Sequence, residues 1–383
     1  MPIERAAIVG AGIAGLTTAL SLAKHGIRSE IFEQAPVMTE VGAGLQISPN
    51  ASLVLDKLGI LEHLTPLWLE PEAIHLVSGL SLRRLASVPS GRFARDRWGS
   101  PYGVLHRATL QAALLKAVRE NEHCTLHFGT KIGDASPNGD AGKADLLIGA
   151  DGVWSAVRNR VPGAPTARFS GNIAFRFTVA VDAAPDFADR SCVSAFLGPS
   201  AHLVCYPLRE TQNFNMVAIV AGSGASHEWV NHPNENQSRH LLSAFSKWNK
   251  SISRFLEHAT DISVWPLYEA AGGTWQNARD TVLIGDAAHA MMPFAAQGAA
   301  MAIEDAYELA ALVAKQPVPD ALRMFEAQRM ARVNRVRQRG AFNQFAYHAR
   351  GPIRLGRNLV LAMKPPRSLA TDLDWIYGYR VRD

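Results

Sequence analysis

The chain is poor in cysteine. Its three, Cys124, Cys192 and Cys205, are scattered through 383 residues with no Cys-x-x-Cys pair. That count excludes a disulfide framework and a redox dithiol, and it fits a reduced, cytoplasmic chain. No apolar run reaches the length of a membrane helix, so no transmembrane segment is expected. The first residues lack a signal-peptide pattern, because an apolar strand begins almost at once. Zinc-ligand spacing is missing, so no metal site is nominated. Aromatic RNA-binding motifs are missing too, so no nucleic-acid partner is expected. Repeats and low-complexity stretches are also absent.

Hydrophobic residues make up 48% and charged residues 19%. That is ordinary globular composition, at a length that suits two domains or one large one. The net charge is +5, and much of the excess sits in RMARVNRVRQRG, Arg329 to Gly340. Without supporting motifs, this segment reads as a solvated basic helix face.

What is present is a glycine pattern. Residues Arg5 to Gln34 read RAAIVGAGIAGLTTALSLAKHGIRSEIFEQ. A short apolar run, Ala6 to Val9, meets Gly10, Gly12 and Gly15. Apolar residues at helical spacing then fill Ile13 to His25, Gly26 suits the helix end, and Ser29 to Phe32 reads as a second strand. Gly10 allows the tight turn, Gly12 lets backbone approach a pyrophosphate, and Gly15 lets helix and strand pack closely. The helix start offers free N–H groups to the phosphates. Glu33, about twenty residues on, suits ribose hydroxyls. Strand, glycines, helix, strand and acid together predict dinucleotide binding, without separating NAD from FAD.

Two further segments narrow the choice. ADLLIGADGVWSAVR runs Ala144 to Arg158, and ARDTVLIGDAAHAMMPFAAQGAAMAIEDAYELA runs Ala278 to Ala310. Each is an apolar strand ending in an aspartate, Asp151 or Asp286, before a helix. Open parallel sheets bind ligands at such strand ends. Plain helix capping is the other reading of both aspartates, and it is compatible with ligand contact.

In this order and spacing, the three segments resemble the class A FAD-dependent aromatic monooxygenases with the para-hydroxybenzoate hydroxylase fold. EVGAGLQISPN (Glu40 to Asn50), HRATLQ (His106 to Gln111) and DWIYGYR (Asp374 to Arg380) are similar to the branch holding salicylate hydroxylase, 6-hydroxynicotinate monooxygenase and 3-hydroxybenzoate hydroxylase. The resemblance implies an α/β fold. A Rossmann-type FAD-binding domain, three-layered with a mostly parallel sheet, would span 1–171 and 269–340. An inserted, mainly antiparallel substrate-domain sheet would span 172–268, and a helical C-terminal segment 341–383.

The resemblance also implies roles. Gly10, Gly12, Gly15 and Glu33 would hold the ADP half of FAD, and Arg107 and Gln111 its middle. Asp151 and Gly152 would lie near the pyrophosphate, Asp286 on the ribityl chain, and the Gln297–Gly298 helix start at the flavin pyrimidine ring. A helix N-terminus favours the anionic reduced flavin by about 0.3–1 kcal/mol. A single GxGxxG fits a donor, NADH or NADPH, that binds transiently.

Between Asn172 and Trp265, NIAFRFTVAV, CVSAFLG, HLVCYPLR and FNMVAIV read as short strands, and predict the inserted antiparallel sheet. Leu45–Ile47 and Met292–Ala295 would form the opposite pocket wall, with Pro293 and Phe294 beside the substrate. A phenol becomes a better nucleophile when a base takes its proton. His202 and Tyr206, four apart, project from one strand face, and resemble a His/Tyr pair of some relatives. Both are nominated as catalytic, with Gln46 as a third; a satisfied core His and a packing Tyr are the plainer reading. His289 is expected to be structural, and His106 needs no catalytic role.

Two departures from the family stand out. Phe294 replaces a polar residue that relatives carry, and the hairpin before Ala144 is short. IGDASPNGDAGK (Ile132 to Lys143) and NHPNENQSRH (Asn231 to His240) read as turn-rich loops. After Ala310 the chain looks helical, with a break at KPPRS, Lys364 to Ser368. The implied activity is NAD(P)H- and O2-dependent hydroxylation of a small phenolic or hydroxypyridine-type aromatic acid through a flavin C4a-hydroperoxide, by a monomer or homodimer. A flavin oxidoreductase or epoxidase without aromatic hydroxylation is the alternative. A non-catalytic flavin-binding redox sensor is a third reading.

Overall fold

The computed structural model describes residues 3–38, 44–132, 144–222 and 233–383. Its centre is a five-stranded parallel sheet, ordered Thr281–Leu283, Leu146–Gly149, Arg5–Val9, Arg28–Phe32 and Cys124–His127. Three of its strands, Thr281–Leu283, Leu146–Gly149 and Arg5–Val9, are almost wholly apolar and buried, as befits strands covered on both faces. The helices Ile13–Ala23 and Gly298–Val313 pack against each other and join the same core.

A second, seven-stranded sheet carries the other half of the cavity. Its order is Ser263–Ala270, Ala167–Ala180, Asn213–Ala221, Ala201–Leu208, Val193–Gly198, Ala73–Ser78 and Arg84–Pro89. All its pairs are antiparallel except Val193–Gly198 with Ala73–Ser78. The last two strands lie inside the 1–171 stretch expected to serve the cofactor domain. The long strand Ala167–Ala180 also crosses the expected boundary at 171. A hairpin joins whichever sheet edge it reaches in space, and local sequence does not mark that edge.

Two other expectations are corrected. Asn231–His240 is not loop throughout. Asn234 starts the helix Glu235–Phe245 with a capping box: Asn234 Oδ1 accepts from Gln237 N–H, and Asn234 N–H donates to Gln237 Oε1, both at 2.9 Å. The Asn-x-x-Gln signature was legible. At the C-terminal end, the helix Val318–Tyr347 runs 30 residues through the expected boundary at 340. Gly351–Met363 follows, and the chain breaks at Lys364 and Pro365 as expected. Residues 133–143 of the short hairpin and 40–43 of EVGAGLQISPN lie outside the described residues.

The basic segment is the larger correction, because it is not simply a solvated face. Arg329 is fully buried. Its Nη1 lies 2.7 Å from Glu304 Oε2 and its Nε 2.7 Å from Asp305 Oδ1, while Arg332 Nη2 meets Glu304 Oε1 at 2.8 Å. Asn50 Nδ2 donates to Glu304 Oε1 at 2.6 Å, and His289 Nε2 pairs with Asp305 Oδ2 at 2.5 Å. Burial opposes the charges on Glu304, Asp305 and Arg329, yet their partners dominate. Asp305 is held at about 2 by His289 and Arg329, and Arg329 stays well above its ordinary value beside Glu304, Asp305 and Glu308. The network ties three helices to the loop that carries Asp286.

Candidate functional site

The first strand turns at Gly10, whose φ is +103°. A Cβ there would lie 2.6 Å from the Ala150 carbonyl oxygen, and one at Gly15 would lie 1.9 Å from the Gly10 carbonyl oxygen. A Cβ on Gly12 would meet nothing within 4 Å, so Gly12 faces open space at the start of helix Ile13–Ala23. Two glycines thus permit close packing and one leaves room. Glu33 closes the loop: its carboxylate accepts from Ala11 N–H and Ala35 N–H, both at 2.9 Å. Gln111 braces the same loop by donating to the Ala11 carbonyl at 3.2 Å.

A cavity of about 820 Å³ opens here. Gly10, Gly12, Glu33, Arg107, Asp151, Gly152, Asp286 and Gly298 all line it. Gly15, Gln111 and Gln297 do not. Gly15 is spent on packing, and the Gln297 amide is buried, donating to Ser48 Oγ at 2.9 Å and accepting from Asn50 at 3.2 Å. Only the backbone at Gln297 is left to serve a ligand. Asp151 is half committed. Its Oδ2 accepts from Ala156 and Val157 N–H at 2.7 and 3.2 Å, whereas its buried Oδ1 has no partner. Asp286 is exposed and makes no side-chain hydrogen bond among the described residues. Arg158 joins the two aspartate motifs, donating to the Asp286 carbonyl at 2.8 Å and the Ala287 carbonyl at 2.7 Å. An open glycine cradle, a helix start, an unsatisfied carboxylate oxygen and a free aspartate fit a dinucleotide such as FAD.

The other end of the cavity is built by the second sheet. His202 and Tyr206 share one face of Ala201–Leu208 and both line the cavity, with Val217 and Ile219 from the adjacent strand. Burial pushes the Tyr206 phenol well up, so it stays protonated at neutral pH. The ring sits so close to Gly44 that a Cβ there would be 2.6 Å from a ring carbon. Gln46 also lines the cavity, its amide oxygen accepting from the Tyr102 hydroxyl at 2.6 Å. Pro293 is on the wall, but Phe294 is not. It packs behind, 5.1 Å from the His202 ring, among Ala174 and Ile219. His289 is buried against Asp305 and Trp275, away from the cavity.

Two residues that sequence reasoning missed complete this end. His348, just past the helix Val318–Tyr347, places its Nε2 2.9 Å from His202 Nδ1. Arg176 lines the cavity with its guanidinium 4.9 Å from the centre of the Trp265 ring. Its buried Nε has no partner, and no acidic residue among the described residues forms an ion pair with it. Burial and nearby Arg107 lower it to about 10, so it remains a cation. Nothing local marked either residue; only the assembled sheet and helix do.

The histidine pair sets a pH dependence. Burial lowers His202 well below 6.5, and burial with Arg350 lowers His348 to about 4. The unfolded chain takes up these protons near pH 6.5, before the folded one does, so stability falls as pH drops. The thermal midpoint of the native chain should therefore decline between pH 6.5 and about 4 more steeply than that of the double variant His202→Gln/His348→Gln. Parallel curves would refute the pair's burial as neutral imidazoles.

Comparison with known proteins agrees with this geometry. The family model described as FAD binding domain matches residues 4–340. The chain is 33% identical to 3-hydroxybenzoate 6-hydroxylase 1 of Aquipseudomonas alcaligenes, over 97% of this chain and 96% of the relative. It is 29% identical to 6-hydroxynicotinate 3-monooxygenase of Bordetella bronchiseptica, over 87% of this chain and 90% of the relative. Its fold matches a salicylate hydroxylase substrate complex with a TM-score of 0.80 at 22% identity, over 99% of this chain and 96% of that one. It also matches Klebsiella pneumoniae HpxO complexed with FAD and uric acid, at 0.81 and 21%, over 97% and 95%. With a glycine cradle, two strand-end aspartates and a family match spanning both sheets, the chain belongs to the FAD-binding domain family.

Proposed function

We propose that the chain is a FAD-dependent monooxygenase that uses NADH or NADPH and O2 to hydroxylate a small phenolic or hydroxypyridine-type aromatic acid. One observation carries the reading: a single cavity runs from the Gly10–Gly12 cradle to His202, Tyr206 and the unpaired Arg176. The named relatives act on hydroxybenzoate and hydroxynicotinate, aromatic acids with a ring hydroxyl.

Bound FAD would accept hydride and activate oxygen. Gly10, Gly12 and Glu33 would hold its ADP half, Arg107 its middle, and Asp151 with Gly152 its pyrophosphate. Asp286 would hold the ribityl chain, and the Gln297–Gly298 helix start the flavin ring. Arg176 would take the substrate carboxylate, for a guanidinium matches a carboxylate bidentately. A ring hydroxyl set against His202 would donate to the unprotonated ring nitrogen, which takes on the proton as the ring carbon bonds to oxygen, since burial makes His202 a weak base at rest. The other nitrogen bonds His348, which fixes the ring's orientation. Tyr206, kept protonated by burial, would donate to or accept from the substrate oxygen. Gln46 and Pro293 would shape the pocket. We place the chain in the cytoplasm, since all three cysteines are free thiols, as a monomer or homodimer.

The test is purified protein with FAD, NAD(P)H, O2 and a panel of hydroxybenzoates and hydroxypyridines, scored by stimulated NAD(P)H oxidation and by product mass. A colourless protein that takes up no FAD would end the proposal. The roles separate by substitution. His202→Ala and Tyr206→Phe should cut coupled hydroxylation by about 10²-fold or more while retaining FAD. Asp286→Ala should lose FAD. Equal effects of all three on FAD content would contradict the assignment.

A further inference from the structure

The helix Gly351–Met363 is turned inside out relative to an ordinary surface helix. At 3.6 residues per turn, Ile353, Leu355, Leu359, Val360 and Met363 fall on one half of it, and that half faces outward. Each of the five is more than half exposed, Met363 at 74%. The inward half holds Arg354, Arg357, Asn358, Leu361 and Lys364, all partly buried. Phe342 and Phe345, at the end of the preceding helix, are each 59% exposed. A soluble chain rarely exposes so contiguous an apolar face without something to cover it.

The surrounding charge says what covers it. From Arg350 to Arg367 the sequence has five arginines and lysines and no acidic residue. Of those near the exposed face, Arg350 and Arg367 are exposed, and Arg354 has a buried Nε with no partner. The strand beneath, Arg84–Pro89, adds two further exposed arginines, Arg83 just before it and Arg84 at its start. A second copy of the chain would set these cations against their own images. An apolar face flanked by cations matches an anionic lipid surface instead. At 13 residues the helix is too short to cross a bilayer, and among the described residues no helix is long and apolar enough to do so.

We propose that the helix Gly351–Met363, with Phe342 and Phe345, docks the protein on the surface of an anionic lipid bilayer, the apolar half lying in the interface and the flanking arginines meeting lipid phosphates. The helix lies flat and adds no spanning segment. Its inner end follows His348, so the docking face and the pocket share one stretch of chain.

The experiment is co-sedimentation of the full, FAD-loaded chain with vesicles of phosphatidylcholine alone or mixed with phosphatidylglycerol. Binding is expected to the mixed vesicles only, and to weaken as salt rises. Leu359→Ser with Met363→Ser should lower the partition coefficient at least about tenfold, and Arg350→Gln with Arg367→Gln about fivefold. FAD absorbance reports folding, since none of Arg350, Leu359, Met363 and Arg367 lines the cavity. Absence of binding to mixed vesicles overturns the proposal, and so does equal binding to both. A concentration-dependent dimer broken by the same serine substitutions, without vesicle binding, would make this an interface between copies and overturn it too.

Discussion

Replacing Arg329 with methionine should destabilise the chain by about 3–5 kcal/mol, because removing one partner of a buried ion pair leaves the others charged and dry. Glu304 and Asp305 would face each other across the vacated site, both fully buried. Methionine matches the arginine stem in bulk, so the loss is electrostatic rather than a cavity. The check is the urea midpoint at constant slope. Arg323→Ala is the control: its pair with Asp320 is exposed, and a change within about 0.5 kcal/mol is expected there. The effect should also reach the cofactor. Asp305 Oδ2 accepts from Gly285 N–H at 2.9 Å and from His289, so the loop presenting Asp286 hangs on this network. FAD retention should fall with stability in Arg329→Met. Adding Glu304→Gln should recover part of the loss, since it removes one stranded charge. A near-neutral Arg329→Met would mean that the network is relaxed by water in a way its burial contradicts.

Arg176→Gln should raise KM for an aromatic acid substrate by about 10- to 100-fold, the equivalent of about 1.5–3 kcal/mol for a hydrogen bond to a charged group. The guanidinium is partly buried in the cavity wall with its Nε unpartnered, so part of its burial cost is met before substrate arrives. That cost is recovered only by an anion. The corresponding amide or ester, lacking the charge, should lose much less. Because Arg176 would act on a group remote from the reacting carbon, kcat should change less than KM. Unchanged FAD absorbance would separate substrate binding from cofactor loss. An equal rise in KM for acid and amide would assign Arg176 to something other than the carboxylate.

The parts of the site that were legible are those made by neighbours in sequence. The cradle depends on contacts between Gly10, Gly15 and the turn that joins them, and a strand, a turn and a helix within thirty residues suffice. Asp151 and Asp286 were readable for the same reason, each ending an apolar strand. His202 and Tyr206 share a face because strands repeat every two residues, whatever the rest of the chain does. Even the missed helix at Glu235 had its local signal in Asn234 and Gln237.

What was not legible depends on residues distant in sequence. Arg329 looked solvated because its helix carries arginines on several sides. Only Glu304, Asp305 and Glu308 of another helix, about 20–25 residues away in the chain, make it a buried ion. Gln297 sits at the expected helix start, yet Ser48 and Asn50 turn its amide inward. The hairpin Ala73–Pro89 joins the second sheet, by one parallel edge, across more than a hundred residues. His348 reaches His202 across 146 positions, and Phe294 fills the space behind that ring rather than the pocket wall. The sequence by itself therefore determined the glycine cradle, the aspartates and the strand that presents His202 and Tyr206, because these follow from local backbone geometry and side-chain period. The tertiary structure alone decided which charges are buried, which cation is left unpaired in the cavity and which face of the last long helices is left bare, because burial and pairing are properties of surfaces that meet only when the chain is folded.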